Sequence, residues 1–200
     1  MVRKISLSQR LCALVAELSS AHVSFSDIDM NEVHVSDPGS RHQVYGRLGE
    51  AYAHALLQQC PSFQFFNTSV ARKGYLLRKK HHTFLVSKDK RDIIEYDLIG
   101  EYDDTIIVGE VKSRSANGAF AKIPLMREIA HALWPNREIG ILLFRPQLSD
   151  IRSAGDFLDT VATPDVRYVP MKYTPTDLHL AVREYYSQRE QRRTDSTYSL

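Results

Sequence analysis

The sequence predicts an α/β protein in which helices pack on a layered β-sheet. Residues 5–19 have the apolar spacing of an amphipathic helix, and short runs rich in β-branched and aromatic residues follow between residues 62 and 112. A helical segment at 120–134 and a continuous apolar run at 139–144 come next, and such a run is typical of a strand buried on both faces. Strands joined by crossover helices indicate a sheet covered by helical layers.

Two helices precede the strands. In the first, Leu11, Leu14, Val15 and Leu18 recur at i, i+3, i+4 and i+7. Residues 22–44 are rich in turn-forming residues and are predicted to be mostly a connection. The second helix is predicted at 44–60, where Pro61 would end it because proline cannot continue a helix.

The remaining elements follow from short apolar runs and their flanking turns. These runs predict strands at 62–69, 74–78, 83–87, 93–100 and 105–112. Asp103 and Asp104 predict a tight turn, so the last two of these strands should form a hairpin. Beyond 139–144 the sequence predicts helices at 150–161 and 176–187, with a strand at 166–169 between them.

The length of 200 residues fits one decorated domain. We expect an N-terminal helix and connection at 1–43, an α/β domain at 44–187 with its core at about 44–145, and a disordered tail at 188–200. The chain is 43% hydrophobic and 25% charged, so it can bury a core. A net charge of +2 excludes a histone-like polycation, although a localised basic patch for nucleic acid remains compatible with it.

Cellular location is also predicted from the pattern of the chain. Two cysteines are too few for a disulfide framework or a zinc finger. The start of the chain lacks the apolar core of a signal peptide, and no apolar run approaches the roughly 18 residues of a membrane span. We therefore expect a cytoplasmic protein with no membrane contact.

The strongest functional signal is a group of charged residues at the ends of the two hairpin strands. Asp97 lies in the first apolar run, and Glu110 and Lys112 end the second. Residues two apart in a strand share a face, so Glu110 and Lys112 should lie together while Val111 points into a core. Pairing of the two strands would bring Asp97 close to Glu110. Two carboxylates and one ammonium in a cluster suit divalent-metal binding and phosphodiester cleavage.

The expected cofactor is Mg²⁺ or Mn²⁺. Asp97 and Glu110 offer the hard oxygen ligands that these ions prefer, and the backbone carbonyl of Val111 could add another. Lys112 could orient the attacking water or offset charge in the transition state. Two adjacent carboxylates repel each other, so a cation is also an electrostatic requirement.

The order of elements and these three charged residues resemble the PD-(D/E)XK nuclease superfamily, and within it the small members similar to archaeal Holliday junction resolvases. The resemblance implies a restriction-endonuclease-like fold, which is a three-layer α/β/α arrangement with a central mixed sheet. Its αβββαβ core would occupy about 44–145, with extra N- and C-terminal helices. Asp97 matches the aspartate of the motif, Glu110 its second acid and Lys112 its lysine.

Glu50 matches a further acid that many members of the superfamily carry on the helix before the sheet, where it contributes to a metal site. Residues 46–50, Gly-Arg-Leu-Gly-Glu, resemble the glycine-rich entry to that helix. Position 96 is tyrosine where the motif has proline, as in many divergent members. Glu95 would share the strand face of Asp97, either as a third acid or as a charged neighbour.

Basic residues supply the candidate contacts to nucleic acid, because lysine and arginine bind phosphates without regard to sequence. They are Arg72, Lys73, Arg78, Lys79, Lys80, Lys88, Arg91, Arg114 and Lys122. His81 and His82 belong to the same basic stretch. An ordinary solvated hairpin face would explain this stretch equally simply.

Together these features predict a metal-dependent nuclease that hydrolyses phosphodiester bonds, with DNA as the favoured substrate and RNA left open. The resemblance adds a homodimer, which would allow two strands to be cut. Two alternatives stay open on the same fold: a nucleic-acid-binding domain that does not cut, and a protein-interaction domain. In the last, Asp97 and Glu110 would be solvated strand-end acids, and Lys112 a weak cross-hairpin ion pair.

Overall fold

The computed structural model describes residues 5–35, 40–81, 83–113, 119–146 and 163–197. The helices are α1 (Leu7–Ser20), a short 3-10 helix (Phe25–Asp27), α2 (Arg41–Gln58), α3 (Ala119–Leu133) and α4 (Pro175–Thr197). The strands are β1 (Phe63–Phe65), β2 (Val70–Arg72), β3 (Tyr75–Lys80), β4 (Thr83–Lys88), β5 (Arg91–Tyr96), β6 (Leu98–Tyr102), β7 (Thr105–Val111), β8 (Glu138–Pro146) and β9 (Val166–Met171). The helix predicted at 150–161 lies outside the described residues.

The strands form two sheets, and an α/β fold with a mixed sheet is confirmed. The larger sheet has the order β1-β6-β7-β8-β9. Its pairs β1–β6 and β6–β7 are antiparallel, and β7–β8 and β8–β9 are parallel. The smaller sheet is antiparallel with the order β2-β3-β4-β5.

One predicted strand is divided between the two sheets. The sequence predicts a single strand at 93–100, but the chain leaves the smaller sheet after Tyr96 and enters the larger sheet at Leu98. The apolar pattern runs through both halves, so periodicity alone does not reveal the change of partner strand. The prediction of one strand is therefore wrong, and Asp97 lies at the junction of the two sheets.

The hairpin between β6 and β7 is confirmed. Asp103 and Asp104 have φ of 46° and 61°, and two successive left-handed residues make the two-residue turn that matches strand twist. Tyr102 pairs with Thr105 beside the turn, and Leu98 pairs with Gly109 at the open end. The register therefore places Asp97 opposite Glu110.

The two faces of the larger sheet carry different layers. One face is covered by α1, α2 and α4, whose buried side chains form a common core with Leu98, Ile107 and Val111. The other face is covered by α3 and the smaller sheet. Helices alone were predicted on both faces, so the second layer differs from that expectation.

Helix α1 belongs to the main core of the structure. Ser6 and Gln9 form a capping box at its start, and Leu11, Leu14 and Leu18 are at most 1% exposed. Glu17 accepts hydrogen bonds from Cys60 Sγ and Tyr102 Oη, each at 2.8 Å. Helix α1 thus packs in one core with α2 and the larger sheet.

Helix α4 extends through most of the segment predicted to be a disordered tail. It ends at Thr197, although the sequence predicted a helix only to 187. The amide of Gln188 donates to Glu184 at 3.1 Å, and the Thr194 hydroxyl donates to the carbonyl of Glu190 at 2.8 Å. Glutamate, glutamine and arginine are good helix formers, so the helix continues without an apolar stripe. The prediction of a tail from 188 is corrected for residues 188–197.

Among the described helices, none combines the length and the apolar character needed to cross a bilayer.

Candidate functional site

Asp97 is held in place by the end of strand β7. Its backbone N–H donates to the carbonyl of Gly109 at 3.1 Å. Its carboxylate oxygen Oδ2 accepts a hydrogen bond from the backbone N–H of Val111 at 2.6 Å. The residue is 8% exposed. The junction between the two sheets thus fixes a buried carboxylate against the neighbouring strand.

Glu110 is buried and surrounded by two lysines. It is 1% exposed, and Lys122 Nζ donates to both of its carboxylate oxygens at 2.9 Å. Lys112 Nζ contacts Oε1 of the same carboxylate. Val111 points into the opposite core. The predicted alternation of Glu110, Val111 and Lys112 is confirmed.

Glu50 lies on α2, beside the same group but with a partner of its own. Arg47 Nη1 donates to Glu50 Oε2 at 2.5 Å, and Arg47 Nη2 lies 3.5 Å from Glu95 Oε1. The Thr83 hydroxyl also donates to Glu95 Oε1, at 2.6 Å. Glu95 is therefore a neighbour of Glu50 through Arg47.

The carboxylates perturb each other electrostatically. Burial raises the pKa of Asp97 well above its usual value, and the charges of Glu110 and Glu50 add to this. The hydrogen bond from Val111 and the charge of Lys122 only partly oppose it. Burial also raises the pKa of Glu50, against the opposing effect of Arg47. The surroundings therefore disfavour the charged form of both carboxyl groups.

The sequence did not predict Lys122 and Arg47 as ion-pair partners of the acids in this site. The sequence assigned Lys122 to phosphate contact, but the structure directs it to Glu110; its position on the helix after the second acid is the only signal. Arg47 was not singled out, although it lies three residues before Glu50, a spacing at which helix side chains meet. The contact of Lys122 with Glu110 depends on how α3 packs against the sheet, and that of Arg47 with Glu95 depends on how α2 packs.

The site as it stands is a set of ion pairs. Within the described part of the chain, no three side chains of His, Cys, Asp or Glu lie close enough together to hold a metal ion. Glu110 faces two lysines and Glu50 faces an arginine, while the Asp97 carboxylate accepts a hydrogen bond from the backbone N–H of Val111.

The predicted nucleic-acid contacts gather on the smaller sheet and its turns. Those that the structure places there are Arg72, Lys73, Arg78, Lys79, Lys80, Lys88 and Arg91, and all are exposed. Lys88 Nζ lies 4.7 Å from the ring centre of Tyr75, and Arg78 Nη2 lies 3.6 Å from Asp92 Oδ1. Arg114 and His82 are outside the described residues.

Loss of Lys122 should expose the cost of burying Glu110. We expect Lys122→Gln to lower the free energy of unfolding by about 1–3 kcal/mol, the usual cost of removing a charged hydrogen-bond partner. Urea denaturation would measure it. In a Glu110→Gln background the same change should cost under about 0.5 kcal/mol, because the buried charge is gone. Equal effects in the two backgrounds would contradict this account.

Comparison of the chain with protein-family models, with curated proteins and with solved structures gives no match. The structure is that of an α/β protein with a mixed sheet, and it buries a pair of carboxylates where its two sheets meet.

Proposed function

We propose that the protein is a metal-dependent nuclease of the PD-(D/E)XK type, which hydrolyses phosphodiester bonds with DNA as the favoured substrate. One observation carries this proposal. Two buried carboxylates, Asp97 and Glu110, face each other across adjacent strands, with Lys112 against the second. Burying two carboxylates together is costly unless a ligand or a reaction requires it.

The element order supports a restriction-endonuclease-like core. The series α2, β1, β6, β7, α3, β8 follows the pattern αβββαβ, and its four strands are neighbours in the larger sheet. Helix α3 makes the crossover between the parallel strands β7 and β8. On this assignment the smaller sheet is an insertion between β1 and β6.

The carboxylate and carbonyl oxygens of the site are the hard ligands that Mg²⁺ and Mn²⁺ prefer. Asp97, Glu110, Glu50 and the carbonyl of Val111 would hold the ion. When bound, it would supply positive charge for the phosphate and a more acidic water. Glu110 must turn from its lysines for this to occur.

The lysines would then act on the substrate. Lys112, 28% exposed, would direct its Nζ towards the attacking water or a phosphate oxygen. Lys122, 38% exposed, would be available to a second phosphate oxygen. The exposed cations of β2, of β3 and of the turn between them would hold the flanking backbone without regard to sequence.

A second candidate function is nucleic-acid binding without cleavage. The ion pairs of Glu110 with Lys112 and Lys122 favour it, since they neutralise the second acid without a metal. This candidate predicts salt-dependent binding and no metal-dependent product.

Incubation of supercoiled plasmid with Mg²⁺ or Mn²⁺ tests the proposed function. We expect nicked or linear DNA with metal and none with EDTA. Lys112→Gln should slow cleavage by about 100-fold or more, as expected for loss of a charge that stabilises the transition state. Lys90→Gln, which removes an exposed charge from the β4–β5 turn, is the matched control and should cut at the wild-type rate.

Equal rates of metal-dependent cleavage by Lys112→Gln and Lys90→Gln would overturn the nuclease proposal. A gel shift without product would favour the second candidate. Sedimentation of the active protein would test the homodimer expected for double-strand cutting.

A further inference from the structure

A cavity of about 190 Å³ lies beside the candidate site, between the start of α2, residues 34–35 and the turn from β3 to β4. Its described lining residues are His34, Val35, Arg47, Lys80, His81 and Thr83. None of these six is acidic, and four carry N–H donors. At roughly 30 Å³ per water molecule, the cavity has room for a group several waters in size.

The cavity wall is built from segments distant in sequence. The ring of His34 stacks on that of His81, with centres 4.4 Å apart and planes at 30°. His81 is in the left-handed region with φ of 55°, directly after Lys80 at the end of β3. Lys80 pairs with Thr83 in the register of β3 and β4. Two strand ends and an upstream segment therefore bring their donors to one place.

Arg47 connects this cavity to the acids of the candidate site. Arg47 lines the cavity, and its Nη1 and Nη2 lie 2.5 Å from Glu50 and 3.5 Å from Glu95. Its side chain is 34% exposed, and its guanidinium is a planar fork of N–H donors. Such a fork matches the oxygens of a phosphate. A phosphate in the cavity would compete with Glu50 and Glu95 for Arg47.

We infer that this cavity is a phosphate-binding subsite, which takes a backbone phosphate of the substrate strand adjacent to the one that is cleaved. The assignment to a substrate strand rests on the proposed function. Arg47, Lys80 and the two histidines hold the phosphate. Its binding draws Arg47 away from Glu50 and releases that carboxylate towards Asp97 and Glu110. Substrate would thus help to assemble the acidic group that the structure leaves in separate ion pairs.

Binding in EDTA tests the subsite without cleavage. The probe is a fluorescent five-residue thymidine oligonucleotide, followed by anisotropy, with inorganic phosphate as a separate competitor. Arg47→Gln and Lys80→Gln should each weaken binding by about fivefold or more, the effect of losing a charged hydrogen bond. Lys80→Gln should also reduce the slope of log K against log salt by about 0.7.

Glu95→Gln should act in the opposite direction. It removes a competitor for Arg47 but keeps an oxygen for the Thr83 hydroxyl, so we expect tighter binding by about two- to fivefold, the size of a partly exposed charge interaction. Lys90→Gln is the control for loss of one charge elsewhere on the same sheet. Glu95 contacts two lining residues, Arg47 and Thr83, and the substitution keeps an acceptor for Thr83, so this change of sign reports on Arg47.

The subsite is overturned if Arg47→Gln and Lys80→Gln bind the oligonucleotide as Lys90→Gln does. It is also overturned as a strand site if only inorganic phosphate responds to these changes. A different result is that the wild type shows no metal-dependent cleavage while Arg47→Gln and Lys80→Gln still bind the oligonucleotide more weakly in EDTA. That result would retain the subsite and reject the nuclease proposal.

Discussion

Asp97→Asn is expected to abolish metal-dependent cleavage while making the metal-free protein more stable. Asparagine keeps an oxygen for the Val111 N–H but removes a buried negative charge that Glu110 and Glu50 oppose. Cleavage should fall by about a thousandfold or more, since a catalytic metal contributes several kcal/mol. Stability without metal should rise by about 1–2 kcal/mol, as for other substitutions that relieve strained active sites.

The pH dependence of this gain follows from the raised pKa of Asp97. Between the ordinary aspartate pKa and the raised one, the folded chain holds a proton that the unfolded chain has lost. The stability that Asp97 contributes is therefore present at low pH and is lost as pH rises through the raised value. The difference between wild type and Asp97→Asn should shrink as the pH falls from 7 towards 4.

Thermal melts in EDTA across this pH range, with plasmid cleavage at pH 7 in Mn²⁺, would measure both effects. For a chain of this size, each kcal/mol of stability is expected to shift the melting temperature by about 2–4 °C. Asp97→Ala is the matched comparison, because it removes the charge and also leaves the Val111 N–H without its acceptor. It should be inactive but less stable than Asp97→Asn by about 1–3 kcal/mol. Wild-type cleavage by Asp97→Asn would contradict the proposed function.

The second large effect concerns two glycines of α2 that differ only in their surroundings. A Cβ added at Gly49 would lie 2.8 Å from Ser113 Cβ and 3.4 Å from its Cα. Ser113 directly follows Lys112, so Gly49→Ala should displace the segment that carries the lysine. A misplacement of about 1 Å can cost 100-fold in rate, and we expect a loss of that order. A Cβ at Gly46 would meet nothing within 4 Å.

Gly46→Ala is therefore the control for Gly49→Ala. It should stabilise the protein by about 0.5–1 kcal/mol, because alanine loses less conformational entropy in a helix than glycine. Its cleavage rate should be that of the wild type. Urea denaturation and plasmid cleavage would be measured for both variants. Equal cleavage by both would show that the close approach of Gly49 to Ser113 does not position Lys112.

The sequence predicts the chemistry of the site through its local rules. Alternation along β7 places Glu110 and Lys112 on one face, and the aspartate turn sets the register that brings Asp97 opposite Glu110. These relations span few residues, and strand geometry determines them. Helix α4 shows the limit of such rules, because its second half has good helix formers but no apolar periodicity to reveal it.

The partners of the acids depend on contacts that no local pattern encodes. The sequence by itself determined that two carboxylates and a lysine meet at the end of a hairpin, because period and turn operate over neighbouring residues. Only the tertiary structure decided that Asp97 lies between two sheets, that Lys122 reaches Glu110 and that Arg47 separates Glu50 from Glu95. Those contacts follow from the packing of α2 and α3 against strands far away in the chain, where side-chain shape and burial select the partners.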